Sequence, residues 1–406
     1  MDILIVGGGI GGFAVAAALR GRGHRITVLE QSPGPAEVGA AVGLAPNATA
    51  ALAELGAGAE LADRAVAPRA WTRRRWQNGA VIGSLTLGDT VHDEFGFPFW
   101  MSHRVHLLRA LRDRATAAGP DDVRVVHGAR VVAADDASGT VRTHDGRAFG
   151  GDLVVGADGI RSVVRAAVAD AGQALYSGNI AVRAQIETAR IVAAPRLAAF
   201  VTDNRLETWM GPGGHIVTSI IQAGRQLNIT ACFEAPPIGS DSWSAEEGVE
   251  LLAELVRDWH PPLRELIGLA GSIGRWDLYD RDPIPRLVRN RVVLVGDAAH
   301  PMLPYLGQGA AQTLEDAVAL GRCLDGAAGT DVALRRYESA RLARTHLVQR
   351  RSRENRELLH LPDGPEQQAR DAMLAAGGGD LELLRWLWSP TSSGLLQPAH
   401  TPTEST

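Results

Sequence analysis

Near its start the chain runs from an apolar tetrad, Ile3-Leu4-Ile5-Val6, straight into Gly7-Gly8-Gly9-Ile10-Gly11-Gly12 and then into an Ala-rich stretch without β-branched runs. A strand that ends in G-x-G-x-x-G and opens a helix has few ways to fold. Gly7 permits the tight turn, Gly9 lets the backbone approach a pyrophosphate, and Gly12 lets helix and strand pack closely. The helix N-terminus then stabilises phosphate charge. Residues 2–30 are therefore predicted to form a βαβ unit, with strands over 3–6 and 25–29, a helix over 11–21, and Glu30 placed to accept hydrogen bonds from a ribose.

This fingerprint alone does not separate NAD from FAD. Two later segments share its logic: Leu153-Val154-Val155 leads into Gly156-Ala157-Asp158-Gly159, and Arg291-Val292-Val293-Leu294-Val295 leads into Gly296-Asp297-Ala298-Ala299-His300-Pro301. Each sets an aspartate past the carboxyl end of an apolar strand, where open α/β sheets bind ligands. Around them the patterns predict helices over 47–55, 105–118 and 312–324, and a strand pair over 70–87 turning at Asn78-Gly79. Short strands follow over 123–155, and alternating strands over 176–274 with one helix near 245–258. The expected fold is α/β. A Rossmann-like domain comprises residues 1–175 and 275–330, and a β-rich domain over 176–274 is joined by strands from about 71–97. Helices over 331–388 follow, and the Ser/Thr/Pro-rich tail, 389–406, is expected to be disordered.

Composition removes several functions. A net charge of −5 gives no general attraction to nucleic acid or anionic membrane. All 41 basic residues are arginines, so Schiff-base chemistry, a Walker A loop and a lysine base are excluded. Cys232 and Cys323 make neither a disulfide framework nor a zinc site, and His103 and His106 lack a third ligand, so no metal is expected. No stretch approaches the roughly 20 apolar residues of a membrane span, and a cytoplasmic location is expected. The Arg-rich segment 341–356, interleaved with Glu354, reads as a solvated helix face.

On the glycine turn with Glu30, the Asp158-Gly159 and Gly296-Asp297 segments and the run Pro301-Met302-Leu303-Pro304-Tyr305-Leu306-Gly307-Gln308-Gly309-Ala310, the chain resembles the class A flavin-dependent aromatic hydroxylases. This is the family of para-hydroxybenzoate hydroxylase, and the likeness is to its salicylate hydroxylase-like branch, over nearly the whole chain. The resemblance implies that Gly7, Gly9, Gly12 and Glu30 bind the ADP half of FAD, Arg104 its pyrophosphate side and Asp297 its ribityl chain. It implicates Asp158 in both FAD and NAD(P)H interaction. Gly307 and Gly309 would bring backbone N–H groups to the pyrimidine end of the flavin. It further implies that NADH or NADPH reduces FAD and that O2 is captured as a flavin C4a-hydroperoxide, whose distal oxygen passes to a small aromatic substrate. A homodimer is also implied.

By the same likeness Gly43, His215, Ser219 and Pro304 line the substrate pocket, and His215 assists phenol deprotonation, work that suits an imidazole. On the residues alone, His215 is equally readable as a hairpin-end histidine bonded to backbone. His300 is readable either as a flavin neighbour or as a turn cap. Branch relatives commonly carry a polar side chain where this chain has Gly43 and a tyrosine where it has Ser219, which implies a substrate bulkier or less anionic than salicylate. An epoxidase or oxidase on the same fold, and a flavin-binding partner protein without oxygenase activity, are the alternatives.

Overall fold

The apolar tetrad becomes the strand Asp2–Val6 inside a six-stranded sheet, in a computed structural model that describes residues 1–34, 40–117, 122–169, 172–239, 248–271, 273–377 and 381–390. Arg25–Leu29 lies on one side of it and Leu153–Gly156 on the other, both parallel. Val123–Val126 extends the first side and Val292–Leu294 the second, again in parallel, and Val288–Arg289 closes the edge antiparallel. The chain thus builds outward on one side of its first strand and returns on the other, and that reversal opens a crevice at the strands' carboxyl ends. The register aligns Val6 with Gly156 and Gly156 with Leu294, so Gly7, Asp158 and Asp297 emerge at the same sheet edge.

The helix Ile10–Leu19 is apolar on every side and buried from Gly12 to Leu19, as a helix lodged inside the protein must be. It packs against Arg104–Thr116 and Gly309–Leu324. Small residues let it come close: a Cβ on Gly321 would stand 3.1 Å from that of Ala18.

A second sheet has seven strands in the order Ile273–Asp280, Leu175–Glu187, Gln226–Glu234, Gly214–Ile221, Arg205–Gly211, Ala70–Arg75, Val81–Thr86. The alternating strands expected over 176–274 pair antiparallel. Ala70–Arg75 departs from that pattern and runs parallel to Arg205–Gly211. The chain between these two strands passes through the first sheet before returning, which gives the long crossover that parallel pairing requires.

The helix Thr330–Leu359 then crosses the molecule, followed by Pro365–Ala375 and Leu381–Trp388. Trp388 packs on Trp71, Phe95 and Phe99. The reading of 341–356 as a solvated face is corrected in its first half. Arg351 pairs with Glu354 at the surface, but Arg341 and Arg344 are buried against Glu315 and Asp316, because the helix packs that face onto Gly309–Leu324. Residues 391–406 and the start of the helix expected near 245 lie outside the described residues. Among the described residues no helix is long and apolar enough to cross a membrane.

Candidate active site

A cavity of about 890 Å³ occupies the crevice and extends onto the seven-stranded sheet. Gly7, Gly9, Glu30, Arg104, Asp158, Asp297, Gly307 and Gly309 line one part, and Gly43, His215, Ser219 and Pro304 line the other. Gly12 stands behind the wall, buried in its helix.

The glycine turn divides its labour by geometry. Gly7 has φ +107°, and a Cβ there would meet the Ala157 carbonyl oxygen at 2.4 Å; at Gly12 it would meet the Gly7 oxygen at 1.8 Å. At Gly9 nothing lies within 4 Å, so that backbone is open to the cavity. Glu30 is already engaged, accepting the Gly8 N–H at 2.7 Å and the Ser32 N–H at 2.8 Å. Each carboxylate oxygen keeps a second lone pair, so a ribose hydroxyl can still be bound. Asp158 accepts from the Ser162 hydroxyl and the Val163 and Val164 N–H groups, bonds that oppose the upward push of burial on its pKa. Asp297 is accessible from the cavity, yet the surrounding protein raises its pKa above the usual carboxylate range, against the pull of His300 and Arg104.

The far end of this cradle is the loop before Gly309–Leu324. Gly307 takes φ +64°, and neither Gly307 nor Gly309 would crowd a Cβ against any atom. The first N–H groups of the following helix have no partners within it. A buried polar network braces the loop from behind. Asn47 donates to Gln308 at 3.0 Å and to Glu315 at 2.7 Å; Arg341 and Arg344 grip Glu315; Arg341 and His300 hold Asp316 at 2.7 and 2.6 Å. Burial raises the Glu315 pKa, but the Arg341 and Arg344 charges outweigh it and hold the carboxyl at about 2. His300, open on sequence between two readings, is a buried part of this brace. Glycine edges free of neighbours at Gly9, Gly307 and Gly309, two helix N-termini and unspent acceptors suit a dinucleotide carrying phosphates and a polar ring edge.

Strand alternation sets the other half of the cavity, since residues two apart share a face. One cross-strand row runs Arg183, Thr230, Val217, Thr208. The rows to either side carry Cys232 with His215, and Asn228 with Ser219. Gly43 faces Met101 and Phe99, and Trp71 and Trp388 close the apolar end. Cys232 is a cavity-wall residue whose thiol burial pushes up to about 12.

Arg183, Trp71 and Trp388 escaped the sequence reading. Arg183 stacks on Trp276 at 4.7 Å and has no carboxylate partner among the described residues; its Nε is buried with no hydrogen bond, and burial lowers its pKa. Its only sequence signal was an arginine inside an otherwise apolar alternation, Ile180-Ala181-Val182-Arg183-Ala184. Among the described residues the His215 ring bonds to a side chain and not to backbone. Its Nδ1 lies 2.8 Å from His360 Nε2 and its ring 5.6 Å from that of Tyr305. Burial, then the neighbouring His360, drives its pKa well below the ordinary histidine value.

Residues 1–352 match the family described as FAD binding domain. The chain is 40% identical over 398 residues to the 3-amino-4-hydroxybenzoate 2-monooxygenase of Streptomyces cremeus, covering 96% of this chain and 95% of that one. To the 3-hydroxybenzoate 6-hydroxylase of Polaromonas naphthalenivorans (strain CJ2) it is 34% identical over 364 residues, 89% of this chain and 88% of the other. Among solved structures, Klebsiella pneumoniae HpxO complexed with FAD and uric acid superposes with a TM-score of 0.84 at 27% identity over 98% of each chain. With the family matched over most of its length and relatives this similar, the chain belongs to the FAD-binding-domain family of flavin-dependent monooxygenases.

Proposed function

We propose that the chain uses FAD, NADH or NADPH, and O2 to hydroxylate an aromatic acid that bears a ring hydroxyl. The observation that carries the acid is Arg183, a cation in the cavity wall that pairs with no carboxylate among the described residues. The relatives' names, which contain hydroxybenzoate, point the same way. This changes the charge expected of the substrate but keeps its size. A Cβ at Gly43 would stand 3.6 Å from Met101 Sδ, so glycine leaves open a space that a side chain would fill, and Ser219 is smaller than a tyrosine. Both positions favour a ring with substituents beyond those of salicylate.

Bound FAD would supply the redox chemistry, hydride acceptance from the nicotinamide and activation of O2. Gly7 and Gly9 with Glu30 would hold its ADP half, with Gly12 packing the helix onto the turn behind them. Arg104 would hold the pyrophosphate side, Asp297 the ribityl chain and the Gly307 and Gly309 region the ring, and Asp158 would serve both FAD and the nicotinamide. Arg183 anchors the substrate carboxylate by charge-assisted hydrogen bonds. His215, neutral because of burial, takes the phenol proton and raises the ring's electron density. Trp71, Phe99, Met101 and Trp388 keep water from the apolar end.

The test is NAD(P)H oxidation under air by the FAD-loaded protein with ring-substituted hydroxybenzoates and the matching amides, with products and peroxide quantified. Acids are expected to stimulate oxidation and gain one oxygen atom. Equal turnover of the amides would sink the carboxylate assignment, and peroxide alone from every acid would sink the hydroxylase.

A further inference from the structure

The mechanism above asks His215 to receive a proton, and a neutral imidazole can do so only through the nitrogen that lacks one. Its Nδ1 is 2.8 Å from His360 Nε2, so Nε2 is the nitrogen left for the cavity that His215 lines. One proton lies between the two rings. If His360 donated it, His215 would carry its own hydrogen on Nε2 and present a donor to the substrate. If His215 donates it, the Nε2 lone pair faces the cavity.

The fold builds this pair from distant parts of the chain. His360 follows the last residue of the helix Thr330–Leu359, which stops ahead of Pro362, and its carbonyl accepts the Gly213 N–H at 3.0 Å. That bond straps the helix end to the hairpin two residues before His215. Tyr305 touches both rings, at 5.6 and 5.5 Å between centroids, so the loop over the cradle fixes the pair's third side.

The geometry points to His360 as the positioning residue for His215. It accepts the Nδ1–H of His215, keeping its own hydrogen on a buried Nδ1 that has no partner among the described residues, and thereby turns the His215 Nε2 lone pair to the substrate. This rests on the reading of His215 as the proton acceptor. The O–H bond of the phenol breaks, its electron pair stays on oxygen, and an N–H bond forms at His215 Nε2 while the Nδ1 proton is shared with His360. The positive charge then spreads over two rings at the carboxyl end of a long helix, whose dipole offsets part of the burial that keeps both rings neutral beforehand. Of the titratable or charged groups around the pair, Tyr305 touches both rings, Cys232 lies across the strand from His215 and Arg356 stands one helical turn back from His360, while Tyr176 and Glu234 act on Tyr305. Arg356 opposes the charge on His360, and its Nη1 is tied to the Ser177 carbonyl at 3.0 Å.

The experiment uses the FAD-loaded enzyme with a hydroxybenzoate whose ionised form absorbs distinctly. Absorbance is titrated against pH in the complex for wild type, His360→Leu, His360→Gln and His215→Gln, and coupled hydroxylation is measured beside it. His360→Leu is expected to raise the pH at which the bound phenol ionises and to slow hydroxylation roughly 10- to 100-fold. His360→Gln, whose amide oxygen accepts the same hydrogen, stays within about 3-fold of wild type. Unchanged ionisation in His360→Leu overturns the pairing. If His215→Gln also leaves ionisation unchanged, the reading of His215 itself fails; if only His215→Gln moves it, the pairing alone fails. Nitrogen NMR of the wild-type histidines decides the tautomer without any variant. His215 protonated on Nδ1 supports the assignment, and protonation on Nε2 contradicts it.

Discussion

Replacing Arg183 by methionine separates an anchor from a structural residue, because the two roles predict opposite changes. The guanidinium stacks on Trp276 at 4.7 Å and pairs with no carboxylate among the described residues, and its Nε is buried unsatisfied. Loss of the cation–π contact costs up to about 2 kcal/mol. Removing a half-buried charge that pairs with no carboxylate returns part of its desolvation penalty, about 2–3 kcal/mol. The apoprotein is therefore expected to be unchanged or about 1–2 kcal/mol more stable to urea. Binding moves the other way. One or two charge-assisted hydrogen bonds to a carboxylate contribute roughly 2–4 kcal/mol, so the acid's Kd should rise about 30- to 1000-fold while that of the matching amide barely shifts. Flavin absorbance changes on titration of the oxidised holoenzyme give both constants. An acid that binds the variant as tightly as wild type, or an apoprotein that loses more than about 2 kcal/mol, refutes the assignment.

Two further predictions concern the scaffold. Glu315→Gln removes the carboxylate of Arg344 and one of the two that hold Arg341 inside the buried brace and is expected to cost about 3–5 kcal/mol and to weaken FAD retention through the Gly307 loop, as read by urea melts with and without FAD; a loss under about 1 kcal/mol would count against the brace. Burial, then the nearby Arg356, holds His360 at about 4, and burial with His360 depresses His215, so between those values and the ordinary value near 6.5 the unfolded chain binds more protons than the folded one. Stability should fall as pH is lowered from about 6.5 towards 4, by at most about 3 kcal/mol for His360. Urea midpoints independent of pH over that range would contradict the buried neutral pair.

Much of the cradle was legible because its signals are local. A glycine turn after an apolar strand fixes its own conformation, and parallel strands bring their carboxyl ends together, so Gly7, Asp158 and Asp297 could be assigned to one edge from three short segments. The helix Gly309–Leu324 begins three residues ahead of its expected start, at a glycine whose open surroundings a sequence does not reveal. What stayed hidden depends on long-range packing. Ala70–Arg75 pairs with a strand far along the chain, Arg341 looks like any surface arginine until the helix face under it is known, and nothing in Leu359-His360-Leu361 announces a partner for His215. Arg183 was in plain view as a charge in an apolar strand, but only the register across Thr230 and Val217 shows that it faces the cavity.

The most direct measurement is a turnover of the FAD-loaded protein with NADH or NADPH and a ring-substituted hydroxybenzoate under isotopically labelled O2, with product and peroxide both quantified. A ring hydroxylase delivers one labelled oxygen atom to the aromatic product for each nicotinamide oxidised, with little peroxide. An unlabelled product, or peroxide equal to the nicotinamide consumed with no hydroxylated ring from any acid tested, would contradict it.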